Sequence, residues 1–277
     1  GRMSMEIKKI LGNKSILIGG GIFVLIVICA VFAPLITKYA PTEIDVNRML
    51  QTPSAAHWFG TDAYGRDIFS RVVYGARVSL IISISVAAFS GVIGCVIGMF
   101  AGYYKKAESI IMCIMDGLMA LPSLLLAMAI VAVLGNGMFN MILALTISNI
   151  PRIVRTVRAT VISVKNLDYV EAARSMGASD ARIMWRYIFP ECISPLIVRL
   201  TMTMAFTILE EASLTFLGLG LSPETPCWGI ILSEAKKYIR TSPYFLLIPG
   251  AVVVAVVYGI NTLGDGLRDL LDPKLNK

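Results

Sequence analysis

The stretch VSLIISISVAAFSGVIGCVIGMFAGYY, residues 78–104, carries no charged side chain. A helix rises about 1.5 Å per residue and the hydrocarbon core of a bilayer is about 30 Å thick, so about 20 apolar residues cross a membrane. The glycines of this stretch recur every three or four positions and share one helix face; they are Gly91, Gly94, Gly98 and Gly102. Small residues at this spacing let two helices approach closely. The stretch therefore predicts a transmembrane helix whose glycine face packs against protein.

Similar apolar runs recur along the chain. Residues 117–151 contain no charge and are too long for one span, and the sequence Gly135-Asn136-Gly137 divides them. Pro122 predicts a kink in the third span. The fourth span is predicted to continue past the membrane as a basic helix. We therefore predict an all-α integral membrane protein with six transmembrane helices, which cover residues 16–36, 78–104, 117–134, 138 onward, 192–209 and 244–263.

The composition agrees with a membrane protein. Hydrophobic residues make up 56% of the 277 residues and charged residues only 16%, with a mean hydropathy of +0.75. A soluble domain carries about a quarter charged residues. We predict one membrane domain in two parts. Residues 1–77 hold an N-terminal cytoplasmic tail, the first span and an external segment, and residues 78–277 hold a five-span core with a cytoplasmic loop at 163–191.

The distribution of basic residues predicts the orientation. With the N-terminus inside, sixteen of the 25 Lys and Arg residues fall on the inner side and eight on the outer side. Cytoplasmic loops carry an excess of Lys and Arg, so both termini are predicted to be cytoplasmic. The net charge of +7 is then explained by residues that flank spans, and a nucleic-acid partner is disfavoured. The eight outer residues are Lys38, Arg48, Arg66, Arg71, Arg77, Lys236, Lys237 and Arg240.

Two polar outer segments, residues 37–77 and 217–243, contain several prolines. Within the second, residues 228–239 have their apolar side chains on one helix face. This pattern predicts an amphipathic helix at the membrane surface or dipping into it.

The inner loop, residues 163–191, is predicted to contain two short helices. Asp168 with Glu171 three positions later is typical of a capping box at the start of the first helix. Gly177 suits the left-handed residue that ends a helix.

The second short helix is predicted to begin after Ser179, a favourable capping residue, and to end at Pro190. Its apolar side chains share one face; they are Ile183, Met184, Tyr187 and Ile188. Helices this short are marginally stable in water, so they need a surface to pack on. That surface is either the ends of the chain's own spans or a groove on a cytoplasmic partner.

The inner loop resembles a known sequence element. The residues Glu171-Ala172-Ala173, then Gly177, then Tyr187-Ile188-Phe189-Pro190 resemble the EAA loop of binding-protein-dependent permeases. That pattern usually ends Ile-x-Leu-Pro, and here Tyr187 and Phe189 replace the two aliphatic residues. Other strings are similar to the C-type subunit of dipeptide, oligopeptide and nickel importers; these strings are His57–Asp62, Gly65–Asp67, Leu209–Ser213, Phe216–Gly220, Trp228-Gly229 and Asp272-Pro273.

The resemblance implies the fold of a type I importer of the ATP-binding-cassette (ABC) class in a bacterial cell membrane. Such an importer has two related permeases as a heterodimer, two cytoplasmic ATPases and an extracytoplasmic substrate-binding protein. ATP and Mg²⁺ would bind to the ATPases, and this chain would bind no cofactor. The inner loop would be the coupling helix seated on an ATPase, with contacts from Glu171, Ala172, Ala173, Arg174, Ser175, Gly177, Ala178 and Pro190.

Ionisable residues inside a membrane are functional candidates because burying a charge in lipid is costly. Asp116 and Arg199 are candidates for the translocation pathway or gate, or they form a structural ion pair with each other. Glu210 and Glu211 at the outer end of the fifth span either line the mouth of the pathway, contact the binding protein or form a solvated helix end. Candidates for contact with the binding protein lie in the outer segments; they are Asp62, Arg66, Asp67 and Trp228.

Other classes of function are less compatible with the sequence. There is one histidine, His57, and there is no metal-like cysteine spacing, no Gly-rich nucleophile motif and no G-x-x-x-x-G-K-[ST] phosphate loop. An enzyme and an autonomous ATPase are therefore disfavoured, and no catalytic or metal-binding residue is expected. A secondary transporter would typically show inverted repeats and buried acidic residues in mid-span. Among importers, peptides are the favoured substrate and nickel or a nickel chelate is the alternative.

Overall fold

The computed structural model describes residues 13–271, and this part of the chain is mainly helical and contains no β-strand. A turn of 3₁₀-helix at Val46–Arg48, a π-helical turn at Met184–Ile188 and another 3₁₀ turn at Lys236–Tyr238 interrupt the α-helices. The α-helices are α1 (Lys14–Val31), α2 (Ala33–Ile36), α3 (Ile68–Tyr103), α4 (Lys105–Met119), α5 (Ser123–Leu134), α6 (Met138–Val164), α7 (Asp168–Ser175), α8 (Asp180–Ile183), α9 (Phe189–Phe216), α10 (Trp228–Ala235) and α11 (Tyr244–Leu271).

Four helical stretches in residues 13–271 are long and apolar enough to cross a membrane. They are α1, α3, the continuous stretch 180–216 that contains α9, and α11. Helices α4 and α5 meet the same criterion only as a pair, and they are bent by 85° at the break between them. The predicted third span is therefore a broken helix. Helix α6 has 27 residues but carries three arginines in its second half, and the part around them is the basic extension that the sequence predicts.

Helix α3 begins ten residues before the predicted span. The carboxylate of Asp67 accepts hydrogen bonds from the backbone N–H and the hydroxyl of Ser70, both at 2.8 Å, and so caps the first turn. The helix then continues for 36 residues to Tyr103. At about 1.5 Å per residue it is about 54 Å long, well beyond the thickness of the hydrocarbon core.

The glycine face of α3 packs against α6, as predicted. A Cβ atom built at Gly94 would lie 2.8 Å from Cβ of Ile153, and one at Gly98 would lie 2.8 Å from Cβ of Val157. A Cβ atom built at Gly102 would lie 2.5 Å from Cβ of Val161. Both helices contribute residues at intervals of four, so the contact continues along about two turns. Branched side chains of α6 fill the space that the missing side chains of α3 leave.

The break between α4 and α5 exceeds the predicted kink. Pro122 precedes the first residue of α5 and has an extended backbone, with φ −53° and ψ 137°. Proline supplies no N–H to the preceding turn and its ring clashes with that turn, so α4 ends at Met119. Helix α4 is amphipathic, and Ile110 and Ile114, on the face turned away from the rest of the chain, are 67% and 55% exposed.

Pro190 does not end the second helix of the inner loop, contrary to the prediction. The chain continues from α8 through the π-helical turn into α9, and Pro190 lies in the first turn of α9. A proline cannot donate the i→i−4 hydrogen bond of an α-helix, and Pro190 comes just after the π-helical turn, where that pattern is already interrupted. The inner loop and the fifth span are therefore one uninterrupted helical stretch.

Helix α10 is the amphipathic element predicted in the second outer segment, but its apolar face contacts protein. Trp228 and Ile231 are fully buried in a core that α3, α9 and α11 share. The indole N–H of Trp228 donates to the carbonyl of Val72 at 3.0 Å. The prediction that this face lies against the membrane is wrong for these residues, because an apolar pattern alone does not distinguish lipid from a protein core.

The division of the chain at residue 77 falls inside α3. Helix α1, from the first predicted part, packs along α11, where Gly19 lies against Leu263 and Gly259 against Ile22. The two predicted parts therefore share a helix and a hydrophobic core.

The α3–α6 contact predicts unequal effects of the same substitution at two helical glycines. Gly98→Ala adds a methyl group against Val157 and the carbonyl of Val154, and overpacking of this kind costs about 1–3 kcal/mol. Gly117→Ala in α4 meets no atom within 4 Å and is expected to be neutral or to stabilise by up to about 1 kcal/mol. Thermal unfolding of the two purified variants in the same detergent tests this, and equal melting temperatures would contradict the packing.

Candidate functional site

Helix α7 shows one face to solvent and buries the other. Val170 and Ala173 are almost completely inaccessible, with exposures of 0% and 1%. Their neighbours Glu171, Ala172 and Arg174 are exposed. The exposed surface continues through Ser175 and Gly177. A short helix is thus fixed to the chain by its apolar face and leaves the Glu171-Ala172 face open to a partner.

The turn after α7 is set by Gly177. This residue has φ +82°, in the left-handed region that glycine adopts without strain. The N–H of Ala178 donates to the carbonyl of Ala173 at 3.1 Å, as in a left-handed helix stop. The side chain of Met176, just before the glycine, is 79% exposed. The predicted role of Gly177 is therefore confirmed in its backbone geometry.

The capping predictions for this loop have different outcomes. The hydroxyl of Ser179 accepts a hydrogen bond from the N–H of Arg182 at 3.4 Å, as predicted. The capping box is wrong, because Leu167 is the capping residue of α7 and no side chain bonds to the exposed N–H groups there. Asp168 and Glu171 instead lie in the first turn of α7, where their negative charges interact favourably with the helix dipole.

The inner loop is attached to the end of α3 and to α6. The phenol of Tyr103 donates to the carboxylate of Asp180 at 2.6 Å. The same phenol and the Asp180 carboxylate raise the pKa of the Arg174 guanidinium above its usual value. Burial beside Glu191 raises the pKa of Tyr169.

The second loop helix packs inward through Ile183, Met184 and Ile188, which belong to a core with α6. The apolar face of this helix therefore packs on the chain's own span ends.

The candidate pathway residues Asp116 and Arg199 do not pair with each other. Asp116 accepts from Arg155 of α6 at 2.6 Å, and Glu108 pairs with Arg158 on the same two helices. These ion pairs join α4 to α6, and sequence analysis missed them because the partners lie about 40 to 50 positions apart. Arg199 lies on α9, and its Nε atom is buried without a hydrogen-bond partner in residues 13–271.

Glu210 and Glu211 do not end a helix, because α9 continues to Phe216. Glu211 is fully buried and accepts from the hydroxyl of Ser79 on α3 at 3.0 Å. Glu210 is half-buried and accepts from Ser123 at the start of α5 at 2.7 Å and from Asn149 of α6 at 3.2 Å. The interpretation of a solvated helix end is therefore wrong for Glu211. Glu210 joins α5, α6 and α9 at one point.

The four residues predicted to contact a binding protein are buried, with exposures of 0% for Asp62 and Trp228, 8% for Arg66 and 5% for Asp67. Asp62 accepts from Arg66 and from Arg71, each at 2.6 Å, and both arginines also bond Glu234 of α10. We call Asp62, Arg66, Arg71 and Glu234 the outer ion cluster. It fastens the two outer segments to each other, so these side chains are not accessible to a partner. In the same segment Trp58 and Tyr64 are 62% and 52% exposed.

Residues 13–271 contain no group of three or more His, Cys, Asp or Glu side chains suited to a metal ion. His57 bonds Asp67 at 2.9 Å and stacks on Tyr39, which gives it a structural environment.

Comparison with known proteins adds a family. Residues 94–277 match the binding-protein-dependent transport system inner membrane component, and residues 6–53 match the N-terminal transmembrane domain of oligopeptide transport permease C.

Several curated proteins are similar over nearly the whole chain. A putative peptide transport system permease protein of Brucella abortus is 43% identical over 97% of this chain and 90% of its own length. A dipeptide transport system permease protein of Alkalihalophilus pseudofirmus is 42% identical over 97% of this chain and 88% of its own. A glutathione transport system permease protein of Pectobacterium atrosepticum is 43% identical over 95% and 88%.

A solved structure has the same fold. The MetNI methionine ABC transporter in an inward-facing conformation contains a chain that aligns with a TM-score of 0.61. The alignment covers 73% of this chain and 96% of the other, with 21% identity.

The outer ion cluster predicts that removal of the Asp62 carboxylate lowers the stability of the fold strongly. Asp62→Ala leaves Arg71, whose side chain is 1% exposed, near a single remaining carboxylate. Loss of one partner from a buried pair costs about 3–5 kcal/mol. Arg48→Ala removes the pair with Asp45, whose side chains are 43% and 30% exposed, and such surface pairs contribute about 0–1 kcal/mol. Thermal unfolding of both variants measures the difference, and equal stabilities would refute the structural role of the cluster.

Proposed function

The chain belongs to the family of inner membrane components of binding-protein-dependent transport systems, and from this premise we propose that it forms half of the translocation pathway of an ATP-driven peptide importer. It is a multi-pass protein of the bacterial inner membrane. The proposed substrates are di- or oligopeptides. The names of three relatives, which refer to peptides, dipeptides and glutathione, support this substrate class.

The observation that carries the coupling role is the exposed face of α7. Glu171 and Ala172 are open to solvent while Val170 and Ala173 anchor the helix below them. A small residue such as Ala172 permits close contact with a groove. A carboxylate beside it offers a hydrogen-bond acceptor to the groove wall. We assign this face to contact with a cytoplasmic ATPase, with Arg174, Ser175, Gly177 and Ala178 at its border.

The proposed mechanism follows from the continuity of the inner loop with α9. Closure of two ATPases around ATP and Mg²⁺ moves the α7–α8 loop. Since residues 180–216 form one helical stretch, this movement tilts α9 as a rigid element. The pathway then opens alternately to the two sides by rigid-body motion.

The proposed assembly has this chain beside a second, related permease, with two ATPases below and a binding protein outside. In this arrangement the chain crosses the membrane six times and both termini are cytoplasmic. The broken pair α4 and α5 and the basic helix α6 supply the third and fourth crossings. On the outer side, the exposed Trp58 and Tyr64 are better candidates for binding-protein contact than the buried residues of the same segment.

Two alternatives remain distinguishable. Nickel or a nickel chelate is the second candidate substrate, because the sequence motifs also resemble nickel permeases. A secondary transporter is a more distant alternative, and it would move solute with this chain alone under an ion gradient. A permease of an ATP-driven importer, in contrast, moves solute only together with its ATPases.

Cysteine crosslinking tests the coupling role. Ala172→Cys and Ser175→Cys are introduced separately after Cys113, the exposed native cysteine, is replaced by serine. With the ATPases co-expressed, both positions are expected to give an adduct whose yield changes with ATP. Ser109→Cys, exposed on α4, is the matched control and is expected to give none. Absence of an adduct at both loop positions in an assembled complex would overturn the assignment.

Transport by the reconstituted importer tests the substrate. Proteoliposomes with the complex, its binding protein and internal ATP are expected to accumulate a radiolabelled dipeptide. They are expected not to accumulate ⁶³Ni²⁺ with or without a chelator. Uptake of nickel without uptake of peptide would select the alternative, and uptake by the chain alone under a proton gradient would select a secondary transporter.

A further inference from the structure

An open cavity of about 340 Å³ lies along α9, at the end nearer the inner loop. Helix α6 contributes Thr156 to its wall, and α11 contributes its last described turn. The lining includes Thr156, Ser194, Arg199, Met202, Arg268 and Leu271. The cavity is large enough for several water molecules or for a small organic group.

The charge of this cavity is positive and unbalanced. Arg199 and Arg268 both line it, and none of the lining residues within 13–271 is a carboxylate. In residues 13–271 neither arginine forms an ion pair, and Nε of Arg199 is buried without a hydrogen-bond partner. Arg152 of α6 adds a repulsive like charge to Arg199. Arg199 is partly buried and Arg268 is exposed at the mouth of the cavity. A buried polar group normally has a partner, so the unpartnered Nε of Arg199 with a second cation beside it favours a negatively charged ligand.

The cavity continues a polar face of α9. Glu210 lies eleven residues after Arg199, which is about three helical turns, so both side chains leave the helix on the same side about 16 Å apart along the axis. Ser123, Asn149 and Arg152 lie beside this face through their contacts with Glu210 and with each other. Ionisable residues within membrane helices face the interior or a water-filled cavity. This face of α9 therefore carries a cation at one end and an anion at the other.

We propose that the Arg199–Arg268 cavity is an oxyanion site that receives a carboxylate of the transported solute on the inner half of the pathway. The planar guanidinium group, with its forked N–H donors, matches a carboxylate in geometry and charge. Ser194 and Thr156 add hydroxyl groups to the wall. This inference rests on the proposed function and adds that the permease itself recognises an anionic group. A lipid phosphate has the same chemistry and would enter from the bilayer, so the test distinguishes the two sources.

The electrostatic part of the proposal is tested without any substrate. Met202→Cys is made in a chain whose Cys29 and Cys113 are serine, and the importer complex is reconstituted in phosphatidylcholine nanodiscs. The rates of modification by an anionic sulfonatoethyl and a cationic trimethylammonium-ethyl methanethiosulfonate are compared. Coulomb's law for a charge about 6 Å away in water gives about a tenfold preference for the anionic reagent per arginine.

The variants separate charge from structure. Arg199→Gln and Arg268→Gln are each expected to reduce the anion preference about tenfold, while Arg199→Lys retains it. Lys14→Gln, which removes an exposed cation at the start of α1, is the matched control and leaves the preference unchanged. An anion preference that is equal in the parent and in both glutamine variants would overturn the proposal.

The ligand is identified by protection of the same cysteine. Millimolar Ala-Ala is expected to slow modification several-fold in the parent and not in Arg199→Gln, and its C-terminal amide is expected to protect neither. Protection by inorganic phosphate but not by Ala-Ala, or by phosphatidylglycerol added to the nanodiscs, would assign the cavity to a free anion or a lipid and refute the solute site. So would protection by none of these probes. Transport by the parent is measured in parallel, so failure of the peptide function and failure of the carboxylate site give different results.

Discussion

The contact on which the rest of the structure depends is the seam between α3 and α6. Three glycines of α3 at intervals of four meet three branched residues of α6 at the same interval, Ile153, Val157 and Val161. Lipid tails are as apolar as these side chains, so hydrophobicity alone gives two helices no reason to associate inside a membrane, and close packing has to supply it. The seam fixes α6, and α6 in turn carries the arginines that hold α4 and the asparagine that holds Glu210.

Helix α3 connects the two ends of the molecule. At its outer end Arg71 belongs to the ion cluster that joins both outer segments. At its inner end Tyr103 bonds Asp180 of the coupling loop. One helix therefore contacts both the outer segments and the inner loop. The reason lies in its length, since a helix of 36 residues is about 54 Å long and exceeds the hydrocarbon core of about 30 Å.

The sequence predicted features that depend on neighbouring residues and missed those that depend on distant ones. The glycine face, the left-handed Gly177 and the cap at Ser179 are local patterns, and all three are present. The predicted ion pair of Asp116 with Arg199 was wrong. Several arginines could have been its partner from the sequence, and only the fold brings Arg155 to it. The buried state of Asp62 and Arg66 was missed because a charged residue in a polar segment has the pattern of a surface residue. Only the encounter with α10, over 160 positions later, buries it.

The π-helical turn at Met184–Ile188 has a consequence for the direction in which α9 faces. A π-helical turn contains one residue more than an α-helical turn of the same height, and one residue corresponds to about 100° of rotation in an α-helix. The short helix α8 and helix α9 are thus joined with an angular offset that a regular helix would not give. The direction in which Arg199 and Glu210 face relative to the inner loop is therefore set by the residue count of one turn, and chemically conservative substitutions there would preserve it while a single deletion would not.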